Sequence, residues 1–209
     1  MASKARVRQH RNPFAFRDPV AVPKWGEVFE DLERPMVVDV GSAHGDFLLA
    51  LAEQQPQTNF VGLEIREAMV DLVRRKAERA GLSNVHLVLC NANFSWAELF
   101  PPASLRAVFV NFPDPWFKKR HHKRRVMTDA FIEQVADALE PGGQLHFVSD
   151  YADYALSVAE QMLAHPRFSN PAGGTTPAER DPDLPFTHRE AWHLEQGDAI
   201  HRYRWVLSA

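Results

Sequence analysis

From residue 36 onward, short apolar runs alternate with stretches of helical periodicity. Met36-Val37-Val38-Asp39-Val40 has the composition of a buried strand, Gly41-Ser42-Ala43-His44-Gly45 breaks it, and Asp46 stands where it caps a helix carrying Phe47, Leu48, Leu51 and Ala52. The unit is strand, glycine loop, helix. Residues 59–65 predict a second strand, and residues 66–80 a helix with Met69, Leu72, Val73, Ala77 and Ala80 on one face, ended by Gly81. Residues 85–90 and 105–112 read as a third and a fourth strand. Residues 128–139 spell a helix with Phe131, Ile132, Val135, Ala136 and Leu139 inward, stopped by Pro141-Gly142-Gly143. Residues 144–149 form the fifth strand, followed by a helix with Ala155, Val158, Ala159, Met162 and Leu163 on one face. Strands alternating with helices require right-handed crossovers and a parallel sheet covered on both faces. The predicted class is α/β, a Rossmann-like, doubly wound, mostly parallel sheet.

Beyond this frame, residues 171–185 hold four prolines and two glycines with little apolar content, which marks a long loop, either functional or disordered. Residues 200–207 alternate and predict one more strand, whose place in the sheet the pattern leaves open. A length of 209 residues with 45% hydrophobic content fits one core. The expected organisation is a single domain over residues 25–209 preceded by a basic arm over residues 1–24. No apolar run approaches the ~18 residues needed to cross a bilayer, and the N-terminus is basic, without an apolar signal core. A soluble, cytoplasmic protein without membrane contact is expected. Cys90, the single cysteine, excludes an internal disulfide and a multi-cysteine metal cluster, and no H-E-x-x-H pair occurs, so no metal is expected.

Charge changes the picture once it is divided along the chain. The net value of -3 conceals five basic groups and no acid in residues 1–17 (Lys4, Arg6, Arg8, Arg11, Arg17). Six more (Lys118, Lys119, Arg120, Lys123, Arg124, Arg125) fall in residues 118–125, again without an acid. Removing these eleven from the 24 basic groups leaves 13 against 27 acids, a net charge of -14. Two acid-free cationic runs on an acidic body point to a polyanion partner; the bland reading of each is a solvated face.

In open α/β sheets ligands bind beyond the carboxyl ends of the strands, which here present Gly41 to Asp46, Glu64, Asn91, Asn111 to Trp116 and Asp150. Glu64 lies 19 residues after Gly45, where an acid accepts hydrogen bonds from ribose hydroxyls. Both NAD and S-adenosylmethionine fit these features. A dinucleotide, however, rests its pyrophosphate on the helix N-terminus, where Asp46 repels it, and the G-x-G-x-x-G pattern fails at Ala43 and Asp46. Adenosylmethionine carries no phosphate and two cationic groups, so acids at Asp39 and Asp46 suit it better. Standing alone, Gly41 and Gly45 are also explained as turn residues and Asp46 as a cap.

Leaving the fourth strand, two prolines stiffen the backbone around Asp114, Trp116 offers a flat face for a base, and the cations that follow neutralise phosphate. The segment F-P-D-P-W-x-K-x-R-H-x-K-R-R over residues 112–125 resembles the signature of the bacterial tRNA (guanine-N7-)-methyltransferase family. The likeness extends to Arg8-Gln9-His10-x-Asn12-Pro13, the glycine loop, Gly62-x-Glu64-Ile65-Arg66, Pro141-Gly142-Gly143, Ser149-Asp150 and Thr187-x-x-Glu190, nearly the whole chain. The resemblance implies a class I methyltransferase fold and transfer of a methyl group from S-adenosyl-L-methionine to N7 of a variable-loop guanosine of tRNA. It places Asp39, Gly41, Gly45, Glu64, Asn91 and Asp114 at the methyl donor, makes Asp114 the catalytic acid, and assigns Lys118, Asp150, Thr187 and Glu190 to the guanosine. The sequence departs from the family pattern at Ala43, a frequent glycine, at Asn91, often Asp, and at Arg189, usually aromatic.

Bland readings stand beside these roles. Lys118 is one member of a polycation, Asp150 is placed to cap the helix after it, and Thr187 with Glu190 has capping-box spacing. Trp116 belongs at a rim or in the core, and His121 with His122 fits an RNA-facing surface better than a metal site. Two other functions share the features: an amino-group methyltransferase, suggested by Asp114-Pro115-Trp116, and an RNA-binding module without catalysis.

Overall fold

The computed structural model describes residues 12–16 and 18–208. The basic groups Lys4, Arg6, Arg8, Arg11 and Arg17 lie outside them. Seven strands, β1 (Met36–Val40), β2 (Asn59–Glu64), β3 (Val85–Leu89), β4 (Leu105–Asn111), β5 (Leu139–Ser149), β6 (Phe168–Ser169) and β7 (His201–Leu207), form one sheet in the order β3-β2-β1-β4-β5-β7-β6. The first five are mutually parallel; β7 runs antiparallel to β5 and to β6. The strand of residues 200–207 therefore inserts between β5 and β6, with His201 opposite Ser149 at the carboxyl end of β5.

Helices cover both faces: α1 (Trp25–Val28), α2 (Asp46–Gln54), α3 (Glu67–Ala80), α4 (Ala92–Leu99), α5 (Asp129–Ala138), α6 (Ala152–Ala164) and α7 (His188–Gln196). Alternation along the strands divides the core in two. Val37, Phe60, Leu87 and Phe109 meet Phe47, Leu48 and Leu51 of α2 and Val70, Val73 and Ala77 of α3. Val38, Val61, Val108 and Phe147 meet Trp96, Phe131, Val135 and Tyr154 from α4, α5 and α6. The short α1 is anchored by Trp25, which stacks between Phe29 and Phe100 and donates its indole N–H to the Leu99 carbonyl at 3.0 Å.

Several expectations need correction. The periodicity does not predict helix α4, because its inward face Ala92, Ser95, Trp96, Leu99 is interrupted by a serine. Leu139 belongs to the sheet: α5 ends at Ala138, and β5 begins at once, Leu139 pairing with Leu105 before an irregularity over Pro141-Gly142-Gly143. Leu163 is 61% exposed, and on α3 Ala80 is exposed while Val70 is buried. Residues 171–185 are held by side-chain and backbone hydrogen bonds, Asn170 Nδ2 to Gly174 O and Thr176 O, and Ala178 N to Arg202 O. Among the described residues no helix is long and apolar enough to cross a membrane.

Candidate cofactor and acceptor site

A cavity of about 440 Å³ opens at the carboxyl ends of β1, β2 and β4. Its floor is the loop Gly41-Ser42-Ala43-His44-Gly45, in which Gly41, Ala43 and Gly45 all have positive φ (79°, 48° and 76°). At Gly45 a Cβ would run into the Val73 side chain, so glycine there permits α2 to close on α3. Gly45, not Asp46, is the N-cap; Asp46 opens the helix and its carboxylate accepts from Lys76 Nζ at 2.6 Å. The expected cap is thus an ion pair that neutralises the first turn of α2.

Glu64 is buried beside that loop and fully engaged. Its oxygens accept from the backbone N–H groups of Ala43 (3.1 Å), Ile65 (2.9 Å) and Arg66 (3.0 Å), and from Arg66 Nε (3.0 Å) and Nη2 (2.9 Å). Glu64 therefore shapes the loop as well as facing the cavity. Asp39 is also buried, and burial, opposed by the facing Asn111 and reinforced by the Glu64 charge, pushes its carboxyl from 3.8 up to about 7. Asn91 caps α4, accepting from Asn93 N at 3.2 Å, and its amide donates to the Pro13 carbonyl at 2.7 Å. An aspartate in that place has no N–H to give, so the departure at Asn91 ties residues 13–16 to the cavity wall, where Pro13 is part of the lining.

The opposite wall is the segment after β4. Phe112 and Trp116, two residues before and two after Asp114, adopt φ of +48° and +47°, a conformation that bulky side chains rarely take. Strained backbone on both sides of one carboxylate is characteristic of functional sites. The turn is braced from within: Arg125 Nε donates to the Pro115 carbonyl at 2.8 Å and its guanidinium lies 4.3 Å from the Tyr154 ring, while that of Arg124 lies 5.0 Å from Trp116. Trp116 lines the cavity half-buried, as a rim residue. Lys118, Lys119, Arg120 and Lys123 are exposed on the 3-10 turn Lys119–Arg124 and its cap.

Seven of the ten expected site residues line this one cavity: Asp39, Gly41, Gly45, Glu64, Asn91, Asp114 and Thr187. Lys118, Asp150 and Glu190 do not. Lys118 is the N-cap of the exposed 3-10 turn, with no capping hydrogen bond from its side chain. Asp150 does not cap α6; Tyr151 is the N-cap, and the Asp150 carboxylate pairs with Arg189 at 2.7 Å and His193 at 3.0 Å. Thr187 caps α7, accepting from Glu190 N at 2.9 Å, but Glu190 does not complete a capping box. It is buried against Arg202 (2.6 Å to Nη2) and near Arg180 (3.6 Å), beside a separate cavity of about 50 Å³. Asn111, at the strand end where a ligand is expected, lines the main cavity, and so do Arg66 and Arg189, to which the sequence pattern assigns no role. The signal for Arg66 is its place in Gly62-x-Glu64-Ile65-Arg66, and that for Arg189 only its departure from the family pattern.

A family model described as "Putative methyltransferase" matches residues 33–203. The tRNA (guanine-N(7)-)-methyltransferase of Synechococcus sp. (strain JA-3-3Ab) is 40% identical over 203 residues, covering 96% of this chain and 85% of the relative. The protein of the same name from Thermosynechococcus vestitus is 37% identical over 210 residues, covering 100% and 98%. The chain belongs to the tRNA (guanine-N7-)-methyltransferase family. Among solved structures, an rRNA methylase from Streptococcus thermophilus aligns with a TM-score of 0.55 at 17% identity, over 88% of this chain and 91% of that one. A methyltransferase from Streptococcus mutans, solved in complex with SAH, aligns with a TM-score of 0.54 at 15% identity, over 83% and 88%. At these identities the likeness is one of fold, and with the observed strand order it establishes the Rossmann-like class I methyltransferase architecture for the family member described here.

Proposed function

We propose that this chain transfers the methyl group of S-adenosyl-L-methionine to N7 of a guanosine in the variable loop of tRNA, giving 7-methylguanosine. The observation that carries the reading is one cavity with the buried acids Asp39 and Glu64 on one wall, Asp114 in a strained turn on the other, and exposed cations beyond its rim. The donor set suits a cofactor that is cationic and has no phosphate, since Asp46, paired with Lys76, stands at the helix terminus where a pyrophosphate would rest. When bound, adenosylmethionine supplies an electrophilic methyl group on a positively charged sulfur. Glu64 takes ribose hydroxyls in exchange for its Arg66 side-chain bonds, Asp39 faces the cationic end, and Gly41 and Gly45 with Asn91 shape the floor and side of the pocket.

Guanine N7 already carries a lone pair, so no proton has to leave before attack and positioning dominates the chemistry. Asp114 is the catalytic acid in an electrostatic sense: its carboxylate stabilises the positive charge that the purine gains. Thr187 borders the acceptor side of the cavity, and Asp150 and Glu190 lie one layer behind it, supporting Arg189 and α7. Lys118 and its exposed neighbours meet tRNA phosphates, which an acidic body otherwise repels. Such a reaction belongs in the cytoplasm. Neither a metal nor a membrane enters this scheme.

The test is incubation of the purified protein with labelled adenosylmethionine and bulk tRNA from a strain lacking the modification, followed by borohydride and aniline. Label in tRNA with chain scission at a variable-loop guanosine is expected. Label without scission favours the amino-group reaction, and tRNA binding without label favours the RNA-binding module.

A further inference from the structure

Arg189, on the first turn of α7, projects to the main cavity and donates Nη2 to Asp150 Oδ2 at 2.7 Å. The same oxygen lies 3.0 Å from His193 Nε2, and the other ring nitrogen of His193 lies 2.8 Å from Asp198 Oδ2. Arg189 and His193 are four residues apart and so share one face of α7. That face is turned to Phe112: the His193 ring stacks on it at 5.8 Å and 10°, and the Arg189 guanidinium is 5.7 Å from its centroid. Phe112 is the left-handed residue that opens the turn bearing Asp114. A single network of Arg189, His193 and two acids therefore grips both the loop after β5 and the strained turn after β4.

We propose that Arg189, seconded by His193, is a positioning residue for the acceptor base: it fixes the ionised Asp150 carboxylate behind the acceptor wall and locks the Phe112 turn that presents Asp114. This rests on the guanosine reading above. Burial raises the Asp150 carboxyl, but the Arg189 hydrogen bond and charge, with His193, outweigh it and hold it below its ordinary value. The arginine thus does through an ion pair what an aromatic residue at this position cannot.

The experiment measures single-turnover methylation of tRNA, tRNA affinity and adenosylmethionine affinity for the parent, Arg189→Gln, Arg189→Lys, Asp150→Asn and the double variant Arg189→Gln/Asp150→Asn. Arg189→Gln is expected to slow the single-turnover rate at least tenfold while both affinities stay within twofold, Arg189→Lys to recover most of that loss, and the double variant to be no slower than Asp150→Asn. Losses that multiply in the double variant, or an Arg189→Gln rate within twofold of the parent, overturn the proposal. If Arg189→Gln does not fold, Arg189→Lys and His193→Gln decide by the same comparison with Asp150→Asn. A parent that forms no 7-methylguanosine refutes the guanosine reading instead, so the two failures are told apart.

Discussion

At Ala43 the chain places an L side chain at φ +48° between two glycines of the floor loop, while its N–H binds Glu64. The left-handed conformation costs roughly 1–2 kcal/mol, and glycine returns about half of that gain through its larger unfolded entropy. Ala43→Gly is therefore expected to stabilise the protein by about 0.5 kcal/mol, a rise in Tm of roughly 1–2 °C by calorimetry. Asp39 gives a pH-dependent expectation. Its folded carboxyl titrates near 7 against 3.8 unfolded, so the neutral form supports the fold fully below pH 3.8 and that support is lost as pH rises through 7. Asp39→Asn, neutral throughout, gains on the parent by on the order of 4 kcal/mol between pH 4 and pH 8, read from urea unfolding without cofactor. A difference that stays constant with pH refutes the assignment. Asp114→Asn keeps shape and loses charge, so turnover is expected to fall at least tenfold with a smaller change in cofactor affinity; single-turnover rates within twofold of the parent exclude the role.

Individual elements are legible in the sequence to different degrees, for physical reasons. Strands β1, β2 and β4 announce themselves because both faces are buried and their runs are almost wholly apolar. The candidate residues at or just beyond their carboxyl ends, Asp39, Glu64 and Asp114, which line one cavity, stand out for the same reason: a polar group near the end of such a run has few structural explanations. The partners of α7 are not, because Glu190 and Arg202 meet only through an antiparallel strand whose insertion no local pattern encodes. The cationic segment shows the limit most clearly. Sequence treats its six cations alike, whereas Arg124 and Arg125 turn inward onto Trp116, Pro115 and Tyr154. Replacing Lys119, Arg120 and Lys123 together is thus expected to raise the apparent KM for tRNA and to reduce the log-log salt slope by about 0.9 for each phosphate no longer neutralised, with adenosylmethionine affinity unchanged. Arg125→Ala is expected to do the reverse, slowing turnover at constant slope; equal slopes for parent and triple variant across a salt series would return the segment to a solvated face.

Across the whole molecule, the parallel direction of the first five strands gathers the cavity at one end of the sheet, with Asp39 from β1, Glu64 from β2 and the Asp114 turn after β4. The antiparallel β7 has a consequence for how the protein is made. Strands are synthesised in chain order, so β5, whose Leu145 and Phe147 belong to the core, keeps an open hydrogen-bonding edge until residues 201–207 emerge, because β6 reaches the sheet only through β7. A nascent chain halted before β7 displays an apolar strand edge, a template for intermolecular pairing, and lacks the paired ladder that carries α7 to the site. Stopping synthesis at residue 199 is expected to give chains that sediment as aggregates, whereas a stop after Leu207 gives monodisperse protein, so quality control of this enzyme is decided at its last strand.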